Sequence, residues 1–340
     1  MMNPVLRREA ITTMRGWKSF GIICFYLLVV SGGALMYYIG GTRWSQFTFD
    51  PRIMVYLYAL LAGLQFALVM ISVPAQTAGS ISGERERQTL DLLLVTKMST
   101  PSIIIGKLLA SMAFTLLTIF ATLPVFGIVF YFGGTTVVDL LTVMAFILSV
   151  AFMLGAISIF FSCLYKRTVI CIMLVYMIIG VLLIGTIIAA VLPEIVSASN
   201  GTYKEPSIWH LVATFAINPG AGFFSLMDKQ VGFGIVSGAL GYYVTNNNSL
   251  QAWAISNLWV LNMAFNIIVG VIFIFFSALR INPMRTPQKQ KPQKAEGAEG
   301  GKLSRSQKKM QKKTQKLEQK EQKKALKTQR KEEKKNKQGS

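Results

Sequence analysis

Residues Leu140 to Leu192 read LLTVMAFILSVAFMLGAISIFFSC, then LYKRT, then VICIMLVYMIIGVLLIGTIIAAVL. Two long stretches without a charged side chain, Leu140–Cys163 and Val169–Leu192, flank the Lys166-Arg167 pair. About 20 apolar residues at helical rise cover a hydrocarbon core of roughly 30 Å, so each stretch is long enough to cross a bilayer. Backbone groups in lipid must satisfy one another, and that requirement makes both stretches helices. Their short basic connection makes them an antiparallel pair.

The same pattern recurs outward from this pair. Ser19–Ile39, Ile53–Val73 and Leu108–Phe132 precede it, and Asn257–Leu279 follows it. The reading is an all-α integral membrane protein with six transmembrane helices over residues 19–280. Composition agrees: 52% of the 340 residues are hydrophobic and only 15% are charged, where a soluble domain carries about 25% charged residues. The first apolar run is too long for a signal-peptide core and no small-residue cleavage site follows it, so it is read as a span.

The connections carry opposite charge character. Arg7, Arg8, Arg15 and Lys18 precede the first span. Arg85, Arg87, Lys97 and Lys107 lie between the second and third, and Lys166 and Arg167 between the fourth and fifth. Arg280 and the whole tail follow the sixth. Of the 35 Lys and Arg residues, only Arg43, Arg52, Lys204 and Lys229 fall on the other side. Positive residues collect in the cytoplasm, so both termini are expected there, in a plasma-membrane protein. The segment 193–256 is then an outer loop. Its apolar, Gly-rich part, Leu211 to Tyr243, is broken by Asn218-Pro219-Gly220 and by Asp228-Lys229. Each half is short for a span, so a re-entrant or interfacial helical hairpin is expected, with two extra short spans as the alternative.

Several chemistries lack the residues they need. The six apolar stretches contain no Asp, Glu, Lys, Arg or His, whereas ion-coupled carriers and intramembrane proteases place ionisable groups at membrane depth. One histidine, His210, and three scattered cysteines, Cys24, Cys163 and Cys171, give no zinc-site spacing. The cysteines are read as small apolar residues. Gly106-Lys107 lacks the rest of a phosphate-binding loop. No catalytic residue, metal site or cofactor is assigned, and energy for any work has to arrive from a partner.

Two segments facing the cytoplasm are built differently from the spans. In residues 1–18, Leu6, Ala10, Met14 and Trp17 recur on one helical face, while Arg8, Arg15 and Lys18 fall on another. With Arg7 these residues describe an amphipathic helix in the headgroup region, Trp17 at the interface, rather than a plain basic flank. The second segment is the loop 75–107. Glu84-Arg85-Glu86-Arg87 opens it, a leucine-rich turn follows, and Ser99-Thr100-Pro101 starts the helix of the third span. The four charged residues suit a short surface helix paired by another protein, and equally a solvated loop that pairs internally. Composition does not decide between the two.

The segment Glu84 to Leu109 resembles the signature loop of ABC-2-type transporter permeases, an E-x-E-x-G-T-L-E-x-L-L run followed by a turn and an I-x-x-G-K helix. Glu84, Glu86, Thr89, Leu90, Asp91, Leu93, Leu94, Gly106 and Lys107 match it. Gln88 stands at the usual glycine, and Met98-Ser99 replaces the common Pro-Leu turn. The opening Asn3-Pro4 to Glu9, the six-span layout and the Asn-Pro break before the last span are similar to the same family, so the resemblance covers about residues 1–285. It implies the membrane subunit of an ATP-driven transporter, mostly exporters. Such a subunit dimerises with a second copy or a homologous permease and is driven by separate ABC ATPase subunits, which bind the ATP and Mg. It also implies that the loop is a coupling helix, with Glu84, Arg85, Glu86 and Arg87 contacting the ATPase and Thr89, Leu90, Asp91 and the leucines up to Leu94 anchoring it on the membrane.

Residues 281–340 form a basic tail, with 20 Lys/Arg against 6 Asp/Glu and almost no apolar side chains from Lys302 onward. A disordered cytoplasmic tail attracted to anionic lipid headgroups is expected. No aromatic residues interleave the charges, so no specific nucleic-acid partner is expected. The alternative function is a membrane-protein insertase or assembly factor, with the tail binding ribosome or lipid. For such a factor the bundle offers only amides and hydroxyls, such as Gln65 and the Asn262/Asn266 pair.

Overall fold

The computed structural model describes residues 17–44, 51–88, 100–199, 207–241 and 249–280. The chain divides into a unit of Met1–Thr286 and a second of Pro287–Ser340, and every described residue belongs to the first. The interfacial-helix residues Arg7, Arg8 and Arg15, the loop residues Thr89, Leu90 and Asp91, and the tail 281–340 lie outside the described residues.

Among the described residues there is helix and no strand. The long helices are α1 (Trp17–Trp44), α2 (Pro51–Thr77), α4 (Thr100–Tyr131), α5 (Val137–Leu164), the pair α6 (Thr168–Gly180) and α7 (Thr186–Ser199), and α12 (Leu258–Arg280). A single π-helical turn, Val181–Gly185, joins α6 to α7. Among the described residues six helices are therefore long and apolar enough to cross a membrane, at the places where the apolar stretches put them. A short helix α3 (Ser82–Glu86) follows α2. Four more, α8 (Ile208–Ile217), α9 (Pro219–Val231), α10 (Ile235–Gly241) and α11 (Ser249–Ser256), precede α12. Trp17 and Lys18 are the first residues of α1, continuous with its apolar run.

Helix α5 is apolar on every side, and such a helix belongs at the centre of a bundle. It packs against α2, α4, α6, α9 and α12, and Phe146, Val150, Met153, Leu154 and Ile159 are buried along it. Its start is fixed by a capping box: the Thr136 Oγ1 accepts from the Asp139 N–H at 3.2 Å, and an Asp139 carboxylate oxygen accepts from the Thr136 N–H at 3.2 Å. Helix α12 carries its polar and small residues, Asn262, Asn266, Gly270 and Ser277, on one buried face, while Ile267, Val271 and Phe275 point outward. A Cβ at Gly270 would run into the ring of Phe152 on α5. Where lipid is as apolar as leucine, helices associate through such close approaches and not by burying apolar area.

The segment after α7 folds into the bundle. Helix α8 runs inward to Asn218, and α9 starts at Pro219 and returns. Phe223 of α9 stacks on Phe66, midway along α2, with centroids 4.6 Å apart. Near the C-terminal end of α9, Gln230 accepts a hydrogen bond from the Tyr58 hydroxyl at 2.8 Å and donates to the Asp139 carbonyl at 3.1 Å. The turn between α8 and α9 therefore sits at mid-bundle, and the α9 C-terminus sits level with the starts of α2 and α5. At the other end of the bundle α2, α5 and α12 finish and α4 and α6 begin. That basic end carries Arg85, Arg87, Lys107, Lys166, Arg167 and Arg280.

Candidate functional site

At the basic end the chain passes from α2 through turn residues 78–81 into α3. The turn is held by Ala78 N–H to Pro74 O at 2.9 Å and Ser80 N–H to Thr77 O at 3.1 Å, and α3 continues with Gly83 N–H to Gly79 O at 3.0 Å. Gln88 ends it with φ of 58°, a left-handed conformation that a helix cannot continue through. We refer to residues 78–88 as the elbow.

Three clasps fasten the elbow to three different long helices. On α5, the Ser162 hydroxyl, fully buried, accepts from the Ile81 N–H at 3.0 Å and the Ser82 N–H at 2.8 Å. Ile81 itself is inserted among Ile104, Leu108, Ile159 and Cys163. On α4, the Lys107 ammonium donates to the Ser80 carbonyl at 3.0 Å and to Glu84 Oε1 at 2.9 Å. The Lys107 side chain is 2% exposed and that of Glu84 23%. A buried ammonium requires such a partner, because desolvation is otherwise too costly. On α6, the Glu86 carboxylate accepts from the Thr168 N–H at 2.9 Å and from its hydroxyl at 3.1 Å. The residue before Thr168, Arg167, supplies no capping side chain, so Glu86 provides the cap, with its negative charge at the positive end of the helix. Arg85 adds a second attachment to α5, donating to the Cys163 carbonyl at 3.2 Å near the C-terminus of that helix.

The four charged residues picked out in the sequence are thus treated differently. Glu84, Arg85 and Glu86 each bond a long helix of the same chain, which is the internal pairing that composition left open. Arg87 and Gln88 are exposed, as is the outer side of Glu86. The sequence reading missed Ser162 and Thr168 as their partners, since both lie some eighty residues away and are ordinary hydroxyls. Lys107 stood just outside the expected third span. Helix α4 starts at Thr100, so Lys107 lies within the helix and is buried by the elbow.

Among the described residues no group of three or more His, Cys, Asp or Glu is placed to hold a metal ion. His210 lies on α8, and its carbonyl accepts from the Thr214 hydroxyl at 2.7 Å. Cys163 and Cys171 are buried thiols and Cys24 is an exposed one.

Among the described residues, six long apolar helices with α5 at their centre define a multi-pass membrane protein, and the elbow ties its loop to three of them. The family model described as ABC-2 family transporter protein matches residues 4–205. The chain belongs to that family and is a membrane permease component of a transporter. No curated protein sequence matches the chain.

Proposed function

We propose that the chain is the permease subunit of an ATP-driven exporter, working as a dimer with a second copy or a homologous permease. Separate ABC ATPase subunits bind ATP and Mg and dock at the basic end. In this reading both termini and the elbow are cytoplasmic, and the α8–α9 hairpin is re-entrant from the outer face of the plasma membrane. The N-terminal basic segment with Trp17 and Lys18 lies in the headgroup layer. The Lys-rich tail lies on anionic headgroups.

The observation that supports this reading best is the elbow's attachment. An element that receives the movement of a motor has to pass it to several spans at once, and this one is bonded to α4 through Lys107, to α5 through Ser162 and to α6 through Thr168. Glu84, Arg85 and Glu86 are then the fastening of the coupling helix, and Arg87 with Gln88 is its outward edge. Thr89, Leu90 and Asp91 have the role of anchoring the loop on the membrane. Closure of the ATPase would push the edge, and the clasps would divide the push among three helices.

The test is purification of the tagged full chain in mild detergent with identification of what accompanies it. A protein with a P-loop and ABC signature, retained by the wild type and lost on Arg87→Glu, supports the proposal. Accompanying ribosomal proteins, with no ATPase, contradict it.

A further inference from the structure

The long apolar stretch from Thr168 to Ser199 is not one uniform helix. Helix α6 and helix α7 are separated by the π-helical turn Val181–Gly185, whose wide hydrogen-bonded ring interrupts the α-helical ladder; such turns recur at functional positions. Gly180 precedes the turn and Gly185 closes it. A Cβ at Gly180 would meet nothing, and one at Gly185 would meet only Val181 of the same turn at 3.4 Å. Packing therefore does not require glycine at either place, and what glycine supplies there is backbone freedom.

The two arms belong to different neighbourhoods. Helix α6 packs on α5, α2 and α3. It is pinned to the elbow by Glu86 and to α2 by the Tyr176 hydroxyl, which donates to the Ile71 carbonyl at 2.6 Å. Helix α7 instead packs on α8. Between them, the side chain of Asn218 hydrogen-bonds the turn and the start of α7. Asn218, 3% exposed at the α8–α9 apex, donates to the Leu183 carbonyl at 3.0 Å and to the Thr186 hydroxyl at 2.9 Å. Its amide oxygen accepts from the N–H groups of Gly220 at 2.8 Å and Ala221 at 3.3 Å. All the bonding capacity of this amide is spent on holding the π turn to the start of α9. The apex is tied in turn to α12, where Asn262 donates to the Asn218 carbonyl at 3.0 Å and to the Ala216 carbonyl at 2.7 Å. The backbone at Gly222 lies so close to Asn262 that a Cβ there would come within 2.5 Å of it.

We propose that α6 and α7 are the two arms of a jointed lever, with the Val181–Gly185 turn as the joint and Asn218 as its latch. A displacement entering at the Glu86–Thr168 clasp tilts α6, bends the joint and shifts the α8–α9 apex at mid-bundle. The elbow end and the apex end are linked by one element, about 22 Å long from Thr168 to Leu183 at helical rise. Asn218, Gly180 and Gly185 are positioning residues. The direction in which the lever is driven rests on the permease reading; the existence of the joint does not.

The experiment places spin labels on either side of the joint in the full chain, reconstituted in lipid nanodiscs. Met173 and Ile188 are 67% and 56% exposed and are changed to Cys in a Cys24→Ser background; Cys163 and Cys171 are buried. A jointed lever gives a distance distribution with more than one component. Gly180→Ala/Gly185→Ala should collapse it to one, with a melting temperature equal to or above that of the parent, because alanine favours helix over glycine. Asn218→Ala, and the milder Thr186→Val should Asn218→Ala not fold, should broaden it. A parent distribution already single, and unmoved by either latch variant, overturns the proposal. Where the wild type transports with an ATPase, the double-alanine variant should lose transport while keeping the ATPase bound, and normal transport by it also overturns the proposal. If the wild type binds no ATPase while the distances still respond to Asn218, the joint stands and the permease reading falls.

Discussion

The ion pair at the elbow allows the attachment to be tested quantitatively. Lys107 is almost completely buried, and Glu84 is about three-quarters buried beside it, 2.9 Å away. Breaking a fully buried pair by removing one partner costs about 3–5 kcal/mol, and breaking an exposed pair about 0–1 kcal/mol. The partial exposure of Glu84 places Lys107→Met or Glu84→Leu between those limits, at about 2 kcal/mol. The double variant Lys107→Met/Glu84→Leu removes both charges and leaves apolar groups beside Ile81 and Ile104, so it should recover more than half of either single loss. Thermal unfolding of all four proteins in one detergent, followed by intrinsic fluorescence, measures the cycle. The interaction energy should be at least about 1 kcal/mol in size. Single variants within about 0.5 kcal/mol of the parent, the ordinary range for surface changes, would refute the assignment of Lys107 as a clasp, as would losses that simply add.

Three further outcomes follow from the same contacts. Ser162→Ala leaves two buried backbone N–H groups, those of Ile81 and Ser82, without their acceptor, at about 1–3 kcal/mol; hydrogen exchange should accelerate at those two elbow amides before it does in α5. Glu86→Gln removes the charge that caps α6 and Glu86→Ala the whole cap, costing about 1 kcal/mol in the second case, read as faster exchange over the first turn of α6. Gly270→Val drives a side chain into Phe152 and should cost about 1–3 kcal/mol or more, visible as lost monodispersity after detergent extraction, whereas Ile268→Val on the opposite, exposed face should be silent.

The spans were legible because their signal is local: each needs only its own run of uncharged residues, and Leu140–Cys163 announces a buried helix without help from the rest of the chain. The break at Asn218-Pro219 was legible for the same reason, since a proline after a capping residue stops one helix and starts another. What Asn218 holds was not legible, because Leu183 and Thr186 are ordinary residues in an apolar run and the π turn leaves no mark in composition. At the elbow the sequence marked the right residues and left two uses open for them. Glu84 and Glu86 look like surface carboxylates until the fold brings Lys107 and Thr168 beneath them. Substituting those carboxylates therefore tests the attachment of the elbow, and Arg87 with Gln88 is where docking is to be tested.

The central claim, that an ABC ATPase presses on the outer edge of the elbow, is tested most directly by site-specific photocross-linking in whole membranes. A benzophenone amino acid is placed at Arg87 or at Gln88, with Trp253, exposed on α11 at the other end of the bundle, as the control position. The account predicts a cross-link from 87 and 88 to an ABC ATPase, and none from 253. An ATPase that co-purifies with the chain yet cross-links from 253, or from neither elbow position, would contradict it.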